Sequence, residues 1–520
     1  MFSRRLFLAG SIATAAAAPA ILRAETSIWR DFPFSLGIAS GEPAPDGFVI
    51  WTRLAPDPLA TDGGMGMFPM PVKWEVGSDD RFATIVAQGE TMARPELAHS
   101  VHVEVEGLQP DRPYWYRFTA GGERSFTGRA RTLPLASASP AALKFAVAGC
   151  QNFEDGYYGA YRHLSREQDL AFVYHYGDYI YEYRGSPTRA SYFTGGLTVP
   201  VREHVGQTCY SLSDYRQRYA QTKTDTDLQR AHAAHAFFST YDDHEIANNW
   251  VQDIDGADEA PAPPEIFALR RAAALQAWYE HMPVRRSMLP TGGLIGGTYR
   301  AVRFGQLAEL DLLDTRLSRS DQPCDDGFKP VCAGVNDRAA QVLGAEQEAW
   351  LTRNLSRNQA QWNCLAQQIM MMSLDRRRRT EEPAEIRNMD SWAAYEVPRQ
   401  RLLSRMNGLS NVVVLTGDEH QNFAGDLNDG DRIVASEFVA TSISSGGDGS
   451  DQRSGSQQHM AFNPELKFVN DQRGYLTCDV TREAWKTNYM VVDKVSTRES
   501  VLSKRATAEV AHGTPGLRMA

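Results

Sequence analysis

Two patterns of apolar and polar positions divide this chain. From about Phe34 to Thr132 apolar residues alternate with polar ones, as in Phe48-Val49-Ile50-Trp51-Thr52-Arg53, Val72-Lys73-Trp74-Glu75-Val76 and Val101-His102-Val103-Glu104-Val105. Gly, Pro and Asp turns separate these runs, so the pattern predicts short half-buried strands, and their regular spacing predicts a β-sandwich. After an Ala/Ser/Pro linker, Leu135 to Ala142, the pattern changes to continuous apolar runs followed by helical periodicity. Strands are predicted at Lys144-Phe145-Ala146-Val147-Ala148-Gly149, Leu170 to His175, Ala236 to Tyr241, Leu307 to Leu313 and Asn411 to Thr416. Helices are predicted near Tyr158 to Gln168 and over much of 265–282, 340–356, 359–372 and 396–407.

This arrangement predicts an α/β domain, 143–500, with helices flanking a sheet core, preceded by an all-β domain, 30–135. Within the first domain, Gly107 to Arg117 resembles the turn and following strand of a fibronectin III or immunoglobulin-like module, where a Tyr hydroxyl ties the corner to backbone. The last segment, 501–520, is expected to be a tail or a cap over the site. Two or three domains also suit 520 residues, at roughly 150 residues per domain.

Ser3-Arg4-Arg5-Leu6-Phe7-Leu8 and the Ala-rich apolar run from Leu8 to Ala18 make 1–25 resemble a twin-arginine export signal. The run is shorter than the ~20 residues that span a bilayer, so no permanent membrane span is expected. The predicted address is periplasmic or secreted, with the twin-arginine export machinery as a partner. Net charge is -10, and the densest basic run is Arg376-Arg377-Arg378-Arg379, so nucleic acid is not expected as a dedicated partner. Six cysteines occur; Cys324 and Cys332, close together in a Pro/Gly/Asp-rich loop, are the pair expected to bridge. Cys364 reads as a small buried hydrophobe.

Four polar clusters follow apolar strands, where α/β folds place ligands: Gly149-Cys150-Gln151-Asn152, Gly177-Asp178-Tyr179-Ile180-Tyr181, Asp242-Asp243-His244-Glu245 and Gly417-Asp418-Glu419-His420. Carboxylates gathered in a low-dielectric cleft repel one another unless cations compensate. The donor types are carboxylate, imidazole, phenol and thiol, too hard for a Cys/His structural zinc site and too soft for an all-oxygen calcium cage. They predict a dinuclear centre with unlike metals.

The four motifs resemble those of the calcineurin-like metallophosphoesterase superfamily, D-x-[HG], G-D-x-x-[DY], G-N-H-[DE] and G-H-x-H. The second takes the Tyr form found in purple acid phosphatases. The departures at Cys150, Asp242-Asp243-His244-Glu245 and Gly417-Asp418-Glu419-His420 are similar to the alkaline phosphatase D (PhoD) family. That likeness extends through Leu313-Asp314-Thr315-Arg316, Asp390-Ser391-Trp392 and Arg473-Gly474-Tyr475. The resemblance implies a metallophosphoesterase-type β-sandwich core and an exported phosphatase that hydrolyses phosphate monoesters and/or diesters at a dinuclear or multinuclear site with Fe(3+) and Ca(2+), or another divalent ion in calcium's place.

By the same resemblance, Asp178 bridges the metals, and Cys150, Tyr181 and His420 complete the ferric side. Asp243 and Asp418 hold the second metal, and Asp242 is either a further ligand or an orienting group. His244 contacts phosphate and protonates the leaving group. Separately from the resemblance, Arg184, just beyond Tyr181, is a candidate for pairing a phosphate oxygen. Such metals activate water for in-line attack on phosphorus without a phosphoenzyme. The implied substrate is a small-molecule or polymer phosphate ester, with a phosphodiesterase or phospholipase D-like enzyme acting on a polymer or lipid headgroup as the alternative. A carbohydrate-binding reading of the β domain leaves the acidic clusters without a purpose. The chain lacks a G-x-S-x-G elbow, Ser442-Ile443-Ser444-Ser445-Gly446-Gly447 not fitting it, and lacks a Walker A motif.

Overall fold

A computed structural model of the chain describes residues 27–185, 199–256, 261–357, 359–377, 379, 381–382 and 385–520. The expected export signal, 1–25, lies outside the described residues, as does Arg378 of the arginine run. Two large sheets face each other. One has ten strands, in the order Leu517–Met519, Leu502–Ala511, Ala484–Val492, Gly474–Thr481, Ala142–Ala148, Val173–His175, Ala236–Ser239, Ile38–Ala44, Gly47–Arg53 and Ser100–Val105. The other has seven: Arg300–Phe304, Ala308–Leu312, Trp362–Ala366, Val412–Thr416, Arg432–Val439, Asn422–Asp429 and Leu466–Asn470.

Phe145, Val147, Tyr174 and Phe238 of the first sheet pack against Leu310, Trp362, Val413 and Phe438 of the second. These strands are apolar on both faces because helices cover their outer sides. Helices Leu212–Lys223, Thr226–Ala234 and Pro264–His281 cover the ten-stranded sheet, and Gly344–Arg357 and Glu396–Met406 cover the seven-stranded one. The molecule is thus the expected α/β sandwich flanked by helices and preceded by all-β structure. Among the described residues, no helix is long and apolar enough to cross a membrane.

Three features differ from the pattern-based expectation. The segment 359–372 is not a helix but the strand Trp362–Ala366 followed by a loop. Trp362, Cys364 and Ala366 face the inter-sheet core while Leu365 faces the helical layer, so burial on both sides erased the period that distinguishes strand from helix. Cys364 is buried, as expected, on that strand. The segment 501–520 is neither tail nor cap: Leu502–Ala511 and Leu517–Met519 are edge strands of the ten-stranded sheet.

The third concerns the N-terminal β domain, which shares a sheet with the catalytic part. Strand Ile38–Ala44 pairs in parallel with Ala236–Ser239, with Ser40 opposite Ala236. A separate five-stranded sheet closes the sandwich over Phe48, Val72, Val103 and Tyr116. Its corner has the expected Tyr tie: Gln109 N donates to Tyr114 Oη at 2.9 Å. Cys324 and Cys332 are disulfide-bonded.

Candidate metal centre

Parallel strands Ala142–Ala148, Val173–His175 and Ala236–Ser239 end side by side, and Val412–Thr416 ends across the sandwich. The four polar clusters therefore meet. A single ring organises two of the turns: a Cβ added at Gly149 or at Gly417 would lie 2.4 or 2.2 Å from the Tyr176 ring. Tyr176 thus fits between the loops carrying Cys150 and Asp418 only because both preceding residues are glycine. Its hydroxyl donates to Thr441 O at 3.0 Å. Four candidate ligands have left-handed backbone: Cys150 (φ 50°), Asp178 (φ 55°), Asp418 (φ 67°) and His420 (φ 52°). Such conformations cost about 1–3 kcal/mol each and persist where surrounding structure over-determines them.

Donor atoms gather in three overlapping groups, each within 4.8 Å: Cys150, Asp178 and His420; Asp178, Asp243 and His244; and Asp242, Asp243 and Asp418. Asp178 belongs to the first two. Its Oδ2 accepts from Tyr181 Oη at 2.8 Å and from Cys150 Sγ at 3.3 Å, and Tyr181 Oη lies 3.1 Å from His420 Nε2. Asp178 Oδ1 accepts from His244 N at 3.3 Å. Every sequence-predicted ligand is in this cluster. Arg184 is not tied to it by any side-chain bond among the described residues; its backbone N donates to Thr208 Oγ1 at 3.2 Å and its side chain is exposed.

Burial, followed by repulsion between neighbouring carboxylates, pushes Asp178 and Asp418 well above the usual carboxylate range. Burial also raises Asp242, against the pull of Arg316, and raises the Cys150 thiol and Tyr181 phenol. At Asp243 burial is outweighed by His244 and Arg316, and its carboxyl is held low. Buried Asp242 Oδ2 and Asp243 Oδ1 have no hydrogen-bond partner, although Arg316 Nη2 approaches the latter to 3.4 Å. Unpartnered carboxylate oxygens crowded into a buried cluster fit a cation site, and the thiol and phenol facing Asp178 fit an iron-like neighbour better than calcium.

Several supporting residues escaped the sequence reading. Glu182 Oε2 lies 2.8 Å from His244 Nδ1, and its Oε1 accepts from Asn248 N at 2.8 Å. Burial opposes the His244 charge, yet Asp243, Glu182 and Asp178 hold its pKa well above the ordinary imidazole value. Arg316, fully buried, donates from Nε to Asp242 Oδ1 at 2.6 Å and makes two bonds to Asp390, from Nη1 at 3.0 Å and Nη2 at 2.8 Å. Glu245 accepts from Asp178 N, Tyr179 N and Asp242 N, so it ties two motifs together. Ser445 Oγ donates to Tyr181 Oη at 2.7 Å. Glu245 lay inside a cluster already singled out, though without a role, and Arg316 and Asp390 fall in the outlying segments of the family likeness; Glu182 and Ser445 carried no such signal.

Comparison with known proteins places this geometry. The PhoD-like phosphatase family model matches residues 145–489, and the model of the PhoD-like phosphatase N-terminal domain matches 17–134. Alkaline phosphatase D of Bacillus subtilis (strain 168) is 44% identical over 497 residues, covering 94% of this chain and 83% of that protein. A solved structure of PhoD superposes with a TM-score of 0.90 at 43% identity, over 95% of this chain and 93% of that one. A purple acid phosphatase from yellow lupin (Lupinus luteus) seeds shares the fold, with a TM-score of 0.52 at 11% identity over 91% of this chain and 73% of that one.

Proposed function

The chain belongs to the PhoD-like phosphatase family and is a phosphoric ester hydrolase, and from that premise we propose that its Asp178 cluster holds a ferric ion beside calcium or another divalent ion. The observation that carries this reading is the convergence of three unlike donors on one carboxylate. Cys150, Tyr181 and His420 come from three strand ends and gather about Asp178 Oδ2, while the opposite side of the cluster is carboxylate-rich. Thiolate, phenolate and imidazole suit iron, and Asp178, Asp243 and Asp418 offer the oxygen donors that calcium takes. Asp242 combines both roles considered for it: Oδ1 is held by Arg316, and Oδ2 is left to serve as a ligand.

When bound, the metals supply an activated water and neutralise charge on the ester oxygens. The chain's own residues do the rest. Glu182 holds His244 at Nδ1, which fixes the ring and leaves Nε2 to protonate the departing oxygen. The Tyr181 ring stacks on His244 with centroids 4.1 Å apart, which limits tilting. Arg316 keeps the two aspartates of the Asp242-Asp243 pair apart from Asp390. The substrate class is a small-molecule or polymeric phosphate ester, monoester or diester. Export rests on the twin-arginine pattern of Ser3 to Leu8 and places the enzyme in the periplasm or outside the cell.

The decisive experiment is elemental analysis of protein recovered from its export route, with assays on a phosphomonoester and a phosphodiester with added calcium and with a chelator. Iron with a second metal, and hydrolysis lost on chelation, are expected. Finding neither iron nor metal-dependent hydrolysis would sink the reading.

A further inference from the structure

Outside the metal cluster, helix Gly344–Arg357, helix Glu396–Met406 and the segment 338–341 enclose an open groove of about 750 Å³. Small side chains, Ala339, Ala340, Ala345 and Ala349, give it depth, and four arginines, Arg338, Arg353, Arg401 and Arg405, line it with Glu348 as the one carboxylate. Helix periodicity aims these residues inward. Ala345, Ala349 and Arg353 lie four apart on one helix, and Arg401 and Arg405 four apart on the other, so one helix turns a small-residue stripe ending in Arg353 and the other an arginine pair toward the same groove.

Glu348 is already used, since its carboxylate pairs with Arg401 through Nε and, at 2.7 Å, through Nη2. Arg338, Arg353 and Arg405 are exposed and have no ion pair or side-chain hydrogen bond among the described residues. A cluster of uncompensated guanidinium groups in a chain of net charge -10 is not a reflection of overall composition. Guanidinium forks match phosphate oxygens in pairs, which a carboxylate-lined cleft or a lysine point charge does not do. The volume lies within the ~300–1,000 Å³ of small-molecule pockets, well beyond what a single orthophosphate fills.

We propose that this groove is an accessory anion site, separate from the metal centre, that takes a molecule bearing several linked phosphate groups. Arg338, Arg353 and Arg405 bind the phosphates, and the Arg401 pair with Glu348 holds the two helices in register. The site does not depend on which metals occupy the catalytic cluster, so its failure leaves the hydrolase reading intact.

The test is isothermal titration of the full-chain holoenzyme with a methylene-bridged, non-hydrolysable analogue of tripolyphosphate, with orthophosphate as the second probe. The analogue is expected to fill two sites and orthophosphate one. In the Arg353→Glu/Arg405→Glu variant one analogue site should weaken by at least about tenfold. A single analogue site in the parent, two sites unchanged in the variant, or equal filling of both sites by orthophosphate overturns the proposal. Where the double variant does not fold, phenylglyoxal labelling of the parent gives the answer. The analogue should protect Arg338, Arg353 and Arg405, and full labelling at saturating analogue overturns the assignment.

Discussion

Glu182 and His244 form a buried pair, Oε2 to Nδ1 at 2.8 Å, that joins the tyrosine-bearing motif to the Asp242-Asp243-His244-Glu245 motif. The contact fixes which imidazole nitrogen faces the cleft. If His244 donates a proton to the leaving oxygen, its importance scales with how badly that oxygen needs one. His244→Ala should lower kcat by about 10²–10⁴-fold on an alkyl phosphate and much less on p-nitrophenyl phosphate. Glu182→Gln should lower kcat by about 10–100-fold with the same leaving-group dependence and little change in KM. Equal losses on both substrates would remove His244 from the proton-transfer role.

The two halves of the metal cluster should separate by mutation. Tyr181→Phe removes the hydroxyl that meets Asp178 Oδ2 and His420. It should abolish any visible tyrosinate-to-iron absorption, and Cys150→Ala should lower iron content while calcium is retained. Asp418→Asn, on the carboxylate-rich side, should show the opposite bias. Elemental analysis with absorption spectroscopy checks all three, and a visible band that survives Tyr181→Phe reassigns that ligand.

Arg316 is the guanidinium around which the acidic side of the cluster is arranged. It is fully buried between Asp242 and Asp390, and removing one partner of such a network leaves uncompensated charge. Arg316→Met should lower unfolding free energy by about 3–5 kcal/mol, read from denaturant titration of the metal-free protein. Metal addition should recover part of the loss, since a cation takes over the Asp242 and Asp243 charges. A change below roughly 1 kcal/mol, the scale of a surface pair, would show that Arg316 is not structural.

Gly417 and Gly149 make a fourth case. Gly417→Ala places a methyl group 2.2 Å from Tyr176 ring atoms, and the loop carrying Asp418 must move to admit it. Overpacking costs about 1–3 kcal/mol, and the displaced ligand should cost activity beyond that. Restored activity in Gly417→Ala/Tyr176→Leu would confirm the steric origin; an inert Gly417→Ala would refute it.

What the sequence made legible follows the range of each interaction. The meeting of Cys150, Asp178 and Asp418 was readable because strand, glycine and candidate ligand follow one another closely, and that of Asp243 because an acidic pair closes its strand without a glycine; parallel strands place their ends together by rule. Glu182 and Ser445 were not, because their value comes from partners 62 and 264 residues away in the chain. The same holds for the fold. The alternation from Phe34 to Thr132 revealed the β domain, but not that Ser40 pairs with Ala236 and so fuses it to the catalytic sheet. The segment around Trp362 defeated periodicity because both its faces are buried, which leaves no polar face to count against.

That fusion places an unusual charge at the junction. Lys223, at the end of helix Leu212–Lys223, is buried with its ammonium 4.3 Å from the Trp51 ring centroid and 5.1 Å from that of Tyr179, and has no ion pair among the described residues. Burial lowers its pKa from 10.5 to about 7. Nearby His175, His232 and His281 are lowered in turn by burial first and by Lys223 among other causes, and no carboxylate among the described residues offsets the burial of Lys223. The unfolded chain therefore binds a proton that the native state releases between these values, and stability from this group must rise as pH climbs from about 7 to 10.5. Lys223→Met keeps the aliphatic stem and removes the titration. Its advantage over the parent should be largest at and below pH 7 and should shrink toward zero by pH 10.5. Each tenfold loss of proton affinity on folding is worth roughly 1.4 kcal/mol, so the advantage at low pH should reach several kcal/mol. The two aromatic faces favour the ammonium and reduce that margin without changing its sign of slope. Denaturant melts of parent and variant across this range measure the difference directly. A margin independent of pH would mean that Lys223 stays charged between Trp51 and Tyr179, and that the rings rather than deprotonation compensate its burial beneath the Asp178 loop.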